Sequence, residues 1–121
     1  MIMSEHDRQI IKERAHFLDD YGYKLVYEDT HNIQYSNKEI IIDIFSEPYE
    51  DWSDIEIKFL NQNEGFFLRW ITNREPSVPK LHGKENLIKR ILVFLEYIET
   101  YYDKLMDISF CRGKETENLS V

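Results

Sequence analysis

The chain has 121 residues, of which 42% are hydrophobic and 31% are charged, a composition typical of one globular domain that argues against a disordered chain. Its formal net charge of −8 argues against a nucleic-acid-binding or anionic-membrane-binding surface and favours cationic partners. The single cysteine, Cys111, excludes an internal disulfide and is typical of a reducing compartment.

The N-terminal residues, MIMSEHDRQ, become charged before an apolar signal segment could form, and no apolar run approaches the ~20 residues of a membrane helix. We therefore expect a cytoplasmic protein whose partners include no nucleic acid and no membrane. Ser4 and Asp7 form a helix-capping pattern, and apolar residues then recur at helical spacing as far as Gly22. This pattern predicts a helix over residues 5–20.

Short runs of β-branched and aromatic residues follow between residues 23 and 71. They predict strands at residues 23–29, 33–36, 39–46, 54–60 and 66–71. In the run from residue 54, Ile55 and Ile57 are expected to face the core, whereas Asp54 and Glu56 are expected to face water. Because the connections are too short for parallel crossovers, we expect an antiparallel meander.

The C-terminal part of the sequence predicts a loop, a long helix and a tail. Residues 72–86 contain Pro76, Pro79 and Gly83, which indicates a long surface loop. A continuous apolar stripe predicts a helix from about residue 85 to about residue 107. Residues 111–121 are polar and lack periodicity, so we expect a frayed tail after a single domain at residues 1–110.

The expected fold class is α+β. An antiparallel meander of four to five strands is flanked by an N-terminal helix and a long C-terminal helix, and both helices are expected to cover one face of the sheet. The other face mixes charged and apolar side chains and is expected to stay partly open. Its members are Ile41, Asp43, Phe45, Glu56, Lys58, Phe67 and Arg69.

Motifs for catalysis and metal binding are absent from the sequence. The histidines lie far apart, at His6, His16, His31 and His82, without the close spacing of a metal site. No nucleophile elbow, phosphate loop or dinucleotide fingerprint is present. We therefore expect no catalytic residue, no cofactor and no metal, and we expect Cys111 to be a small buried hydrophobe.

An acidic and aromatic stretch, EPYEDWSD at residues 47–54, is the strongest functional signal. From residue 43 to residue 57 the chain carries six carboxylates and neither Lys nor Arg, and Tyr49 and Trp52 lie among them. Carboxylates attract a basic partner over a long range, and Trp and Tyr often anchor interfaces. The alternative interpretation is a solvated hairpin loop whose Trp packs against the sheet edge.

The long helix extends the same pattern. Tyr97 lies nearly opposite the apolar segment Ile88–Leu95 on the helical wheel, so we expect it to be exposed beside Glu96. The candidate partner-binding residues are therefore Glu47, Tyr49, Glu50, Asp51, Trp52, Asp54, Glu96 and Tyr97.

Basic residues are concentrated in the segment from residue 69 to residue 90. They are Arg69, Arg74, Lys80, Lys84, Lys89 and Arg90. This segment could pair with the acidic stretch, within one molecule or across a dimer. It could also form a modest anion site near the start of the second helix.

The run FLDDYGYKLVYED…IQYSNKEIIIDIF…SDIEIKF…FFLRWI, followed by LIKRILVFLEYIETYYDKL, resembles a loose group of small bacterial proteins. In these, a helix ending in a YGY or YGF element leads into a strand meander, and a long helix closes the domain. The similarity covers roughly residues 17–105 and consists of hydrophobic spacing. Several members resemble immunity proteins, the antidotes of polymorphic toxin systems.

The resemblance and the charge pattern together suggest a non-enzymatic inhibitor that blocks the basic active site of a toxin or nuclease domain through an acidic and aromatic surface. The alternative is a homodimeric structural or adaptor protein that uses the mixed sheet face. A small hydrolase that uses paired carboxylates within residues 43–56 ranks third. Carboxylates on an open loop are expected to titrate normally, whereas a general acid needs a raised pKa.

Overall fold

A computed structural model describes residues 2–119 and confirms the α+β fold class. The elements in chain order are α1 (Glu5–Arg14), β1 (Lys24–Glu28), β2 (Asn32–Ser36), β3 (Ile40–Ser46), β4 (Ser53–Phe59), β5 (Glu64–Phe67), α2 (Leu68–Ile71), α3 (Leu87–Thr100), α4 (Tyr102–Leu105) and α5 (Ile108–Leu119). Two short 3₁₀ segments, Ala15–Tyr21 and Lys84–Asn86, precede β1 and α3.

Helix α1 begins at the predicted cap. The Asp7 amide donates to Ser4 Oγ at 3.0 Å and the Ser4 amide donates to Asp7 Oδ2 at 3.3 Å, so each side chain satisfies a backbone N–H at the helix start. The regular α-helix ends earlier than predicted, at Arg14, and a 3₁₀ segment continues to Tyr21. Gly22 then ends the segment with a φ of 82°, in the left-handed region that glycine adopts without strain.

The sheet has the strand order β1-β2-β3-β4-β5, and every neighbouring pair is antiparallel. Four isoleucines on the inner face of β3 and β4 are fully buried, namely Ile42, Ile44, Ile55 and Ile57. Helix α3 contacts β4, and α1 contacts α3. The core therefore lies between the inner face of the sheet and these helices, where burial of apolar surface stabilises the fold.

The last predicted strand ends early. Strand β5 stops at Phe67, and the following residues form helix α2 instead of extending the strand to residue 71. Leu68 and Ile71 are both buried, because a spacing of three residues places them on one face of a helix. A strand would have pointed them to opposite faces of the sheet.

The long C-terminal helix is divided into three. Helix α3 ends at Thr100, and the short α4 turns the chain so that Leu105 lies in the core. The part of the chain that the structure describes contains no helix both long enough and apolar enough to cross a bilayer.

The predicted frayed tail is wrong over residues 111–119, because α5 extends to Leu119. Cys111 is fully buried, as expected, and its Sγ lies 3.2 Å from the Leu105 carbonyl oxygen. Arg112 forms an ion pair with Glu64 on β5, so tertiary contacts hold a helix that its polar sequence does not predict. Residues 120 and 121 lie outside the described residues.

Candidate functional site

The acidic loop, residues 47–52, joins β3 to β4. Ser46 and Ser53 are the last paired residues of these strands, and the Glu47 amide donates to the Trp52 carbonyl at 3.0 Å. Ser53 Oγ also donates to the Leu87 carbonyl at 2.7 Å, which links the base of the loop to α3. The loop therefore has a closed and supported base.

Tyr49 lies at the tip of the acidic loop with 93% of its surface exposed. The neighbouring Glu50 and Asp51 are also exposed, and neither has a cationic side chain within ion-pair distance anywhere in residues 2–119. Glu47 is half-buried at the start of the loop. The sequence prediction of an exposed aromatic ring among carboxylates is confirmed for this part of the stretch.

Trp52 is half-buried at the end of the loop. Its ring meets Phe45 edge to face, with the centroids 5.6 Å apart, and the Arg69 guanidinium carbon lies 4.5 Å from the Trp52 ring centroid. The indole N–H donates to Glu50 Oε2 at 2.5 Å. Trp52 therefore packs against Phe45 on the outer face of β3 and also bonds to one carboxylate of the loop.

Asp54 does not belong to the exposed surface, contrary to the sequence prediction. Its exposure is 0%, and Oδ1 accepts backbone N–H groups from Ile55 at 2.8 Å and Arg69 at 3.2 Å. Its Oδ2 makes no hydrogen bond within the described residues and lies 3.6 Å from Arg69 Nε. Helix α2 covers the carboxylate at the point where β5 would otherwise have continued beside β4.

Burial raises the pKa of Asp54 to about 6, although its backbone hydrogen bonds and two arginines act in the opposite direction. Desolvation disfavours the charged carboxylate more than these contacts favour it. The expectation of ordinary titration therefore fails for this residue of the acidic stretch. No neighbouring catalytic partner accompanies the shift, since the contacts of Asp54 are backbone amides and Arg69.

Tyr97 is also buried, at 7% exposure, and the prediction that it is exposed is wrong. The helical wheel placed it opposite the α3 stripe, but it belongs to the buried core cluster and lines a cavity with residues 77–79 of the long loop. Burial raises the pKa of Tyr97 to about 12. Glu96 is exposed, yet it lines a cavity with Tyr97 that includes no residue of the acidic loop.

A second surface, which the list of predicted site residues omits, lies on the other side of Trp52. This cationic cavity has a volume of about 270 Å³. Its lining residues are Trp52, Arg69, Trp70, Thr72, Asn73, Val78, Pro79, Lys80, His82, Arg90 and Phe94. The concentration of basic residues from 69 to 90 was the sequence signal for it.

The outer sheet face carries a small charge network. Lys58 Nζ lies 3.4 Å from Asp43 Oδ2 and 3.6 Å from Glu56 Oε1, and Asn32 Nδ2 donates to Asp43 Oδ1 at 3.1 Å. One lysine therefore lies between two carboxylates in this network. Phe45 and Phe67 remain half-buried beside the network, with their ring centroids 6.1 Å apart.

Within residues 2–119, no three His, Cys, Asp or Glu side chains are grouped so that they could hold a metal ion. Comparison with protein-family models, curated proteins and solved structures found no match to this chain. The function is therefore argued from the geometry and charge of the acidic loop and the cationic cavity.

Proposed function

We propose that this is a non-enzymatic binding protein that presents the acidic loop to a basic protein partner. The observation that carries the proposal is Tyr49, an aromatic ring 93% exposed beside the exposed carboxylates of Glu50 and Asp51 at the tip of a supported loop. Tyr is among the residues that most often contribute large binding energies, because it buries much area at a low cost in side-chain entropy.

Charge and rigidity both support this function. Glu50 and Asp51 add to a net charge of −8, so long-range attraction would raise the association rate with a cationic partner. The Glu47–Trp52 backbone bond and the Trp52–Glu50 side-chain bond restrain the loop before binding. Restraint in the free protein lowers the entropy lost on association.

The partner that fits best is a toxin domain whose active site binds phosphates. Such a site concentrates basic side chains, and the carboxylates of Glu50 and Asp51 could occupy the positions of phosphate oxygens. Inhibition by occupation of the site agrees with the resemblance to immunity proteins. The proposed contact surface is accordingly Glu47, Tyr49, Glu50, Asp51 and the exposed edge of Trp52.

The test is co-expression with the product of the adjacent gene, co-purification, and titration calorimetry of the complex. We expect Tyr49→Ala combined with Asp51→Asn to weaken binding by at least about 30-fold, which corresponds to about 2 kcal/mol. The matched control is Tyr27→Ala with Asp20→Asn, since both residues are exposed and lie outside the loop. Absence of a complex, or equal loss in loop and control variants, contradicts the proposal.

A homodimeric structural or adaptor protein remains the second candidate, because Phe45 and Phe67 form a partly exposed aromatic pair on the outer sheet face. Sedimentation separates the two candidates. An apolar contact is little screened by salt, so a dimer that persists at high ionic strength and is lost in Phe67→Ser favours the second candidate. A monomer at all concentrations excludes it.

A further inference from the structure

The cationic cavity is a second candidate site, and Trp52 is the residue of the acidic loop that it includes. We propose that it binds a small organic anion, with a phosphate or carboxylate group on Arg69 and Arg90 and a planar group against Trp52 and Trp70. This site does not depend on the proposed protein partner, and its experiments use different residues.

The charge balance of the cavity favours an anion. Its lining contains Arg69, Lys80 and Arg90 but no carboxylate. Asp54, beneath Arg69, is the carboxylate that acts on both arginines, and Glu75, which is outside the lining, acts on Lys80. Burial lowers the pKa of Lys80, and the nearby Arg90 acts in the same direction, whereas Glu75 opposes them. An anion in the cavity would relieve the repulsion between the three like charges.

Both arginines also have side-chain N–H groups that make no hydrogen bond within the described residues. Arg69 makes no side-chain hydrogen bond within residues 2–119; its buried Nε forms an ion pair with Asp54 Oδ2 at 3.6 Å. Arg90 donates one Nη1 bond, to the Leu81 carbonyl at 2.7 Å, and its Nε is buried without a hydrogen-bond partner among the described residues. A guanidinium offers five N–H donors in a planar fork that matches the oxygens of a carboxylate or phosphate.

Aromatic rings hold these guanidinium groups in place. The Arg69 guanidinium carbon lies 4.5 Å from the Trp52 ring centroid and 5.0 Å from the Trp70 ring centroid. The Arg90 guanidinium carbon lies 5.1 Å from the Phe94 centroid. These cation–π contacts orient the donors. With Trp70 45% exposed, an indole surface also remains available to a planar ligand group.

The size of the cavity limits the ligand. A volume of about 270 Å³ lies just below the usual range for ligand pockets, which begins at about 300 Å³. A single ring that carries one anionic group is therefore a suitable probe, whereas a dinucleotide is too large. We choose phenyl phosphate and benzoate, and we use inorganic phosphate to measure the contribution of the ring.

The chain contains two tryptophans, and both line this cavity. Intrinsic fluorescence and the two indole N–H signals in NMR therefore report directly on its occupation. We expect a saturable change with phenyl phosphate or with benzoate, and the tighter of the two identifies the anionic group. Inorganic phosphate should bind at least fivefold more weakly than phenyl phosphate, because it makes no contact with the indoles.

Variants locate the binding. We expect Arg69→Gln to weaken binding at least tenfold and Lys80→Met at least threefold, whereas the matched exposed controls Arg74→Gln and Lys84→Met change it less than twofold. Tyr49→Ala should also leave it unchanged, which separates this site from the acidic loop. If Arg69→Gln fails to fold, Lys80→Met and the indole signals of the unmodified protein decide the question.

Three results would overturn the proposal. The first is no saturable change with either organic anion up to about 10 mM, a concentration at which even weak sites are occupied. The second is equal loss in the cavity variants and the control variants, which would indicate a response to overall charge. The third is equal affinity for inorganic phosphate and phenyl phosphate, which would exclude a role for the indoles.

Discussion

The acidic loop and the cationic cavity meet at Trp52, but their charged side chains lie in opposite environments. Glu50 and Asp51 are in water without cationic neighbours, whereas Arg69 and Arg90 are partly desolvated and packed on aromatic rings. Opposite charges close together in the chain have therefore not neutralised one another. Trp52 belongs to both surfaces, and beside it Asp51 and Arg90 line one smaller cavity.

Asp54 is the buried exception within the acidic stretch, and its pairing explains why the acidic loop and the cationic cavity keep opposite charges. Arg69 pairs with the buried Asp54 and not with the exposed carboxylates of the loop. Internal pairing of the acidic and basic segments, which the sequence left open, thus occurs at one buried position. A charge pair shielded from water interacts more strongly than an exposed one, so Asp54 holds Arg69 at the cavity and leaves the loop unneutralised.

Removal of Arg69 should have the largest effect on stability. In Arg69→Gln, the buried Asp54 loses its ion-pair partner and keeps only the electrostatic attraction of Arg90, and we expect the free energy of unfolding at pH 7 to fall by about 3 kcal/mol in urea denaturation. Arg74→Gln, an exposed control, should change it by less than about 0.5 kcal/mol. A similar loss in both variants would mean that the Asp54–Arg69 pair contributes nothing.

The pH dependence of Asp54 should be the next largest effect. Its pKa of about 6 in the folded protein is raised above the ordinary value of 3.8. The stability contribution of Asp54 is therefore full below that ordinary value and is lost as the pH rises through about 6. We expect about 2 kcal/mol less stability from this group at pH 7 than at pH 4.

The variant Asp54→Asn isolates this contribution, because it cannot ionise. Urea denaturation at several pH values should show a flatter profile between pH 4 and pH 7 in Asp54→Asn than in the unmodified protein. Asp20→Asn, at an exposed site, should keep the original profile. A profile in Asp54→Asn that matches the unmodified protein would assign the pH dependence to other groups.

The base of the acidic loop should show a smaller effect. Ser53→Ala removes the buried hydrogen bond to the Leu87 carbonyl and leaves that acceptor without this donor. We expect a loss of about 1 kcal/mol in the free energy of unfolding. Ser109→Ala, at an exposed position in α5, should change stability by less than half as much, and a larger loss there would contradict the comparison.

The tip of the loop should show the smallest effect on stability. Tyr49 contacts little of the protein, so Tyr49→Ala should change the free energy of unfolding by less than about 0.5 kcal/mol. Partner binding measured by calorimetry should nevertheless be weakened. A change of stability above 1 kcal/mol would show that the ring packs within the domain, and it would remove the basis for a contact role.

Local sequence patterns predicted the strands that build the core. The strict alternation of residues 54–60 and the isoleucine run of residues 39–46 correspond closely to β4 and β3, because a half-buried strand leaves a period of two in its sequence. The Ser4 cap was also readable, since capping depends on residues three positions apart. The exposure of Tyr49 followed from a polar loop between two strong strands.

The exposure of Asp54 and Tyr97 was predicted wrongly for one shared reason, which is that contacts with segments distant in sequence bury them. Asp54 has the alternation of an exposed residue, but the Arg69 amide in α2 bonds to it. Tyr97 has the wheel position of an exposed residue, but it lies in the core cluster that also contains Val78 and Cys111. Such long-range contacts leave no periodic signal in the sequence around the buried residue. The basic run of residues 69–90 indicated an anion site, but its aromatic lining was not predicted for the same reason, since tertiary folding brings the basic and aromatic side chains together.

The buried thiol of Cys111 makes the C-terminal helix observable in solution. Burial raises the pKa of Cys111 to about 12, so almost no thiolate is present at neutral pH and an alkylating reagent should react slowly with the native protein. Detachment of α5 would return the sulfur to ordinary reactivity. The labelling rate of Cys111 Sγ therefore reports how often α5 detaches from the rest of the domain.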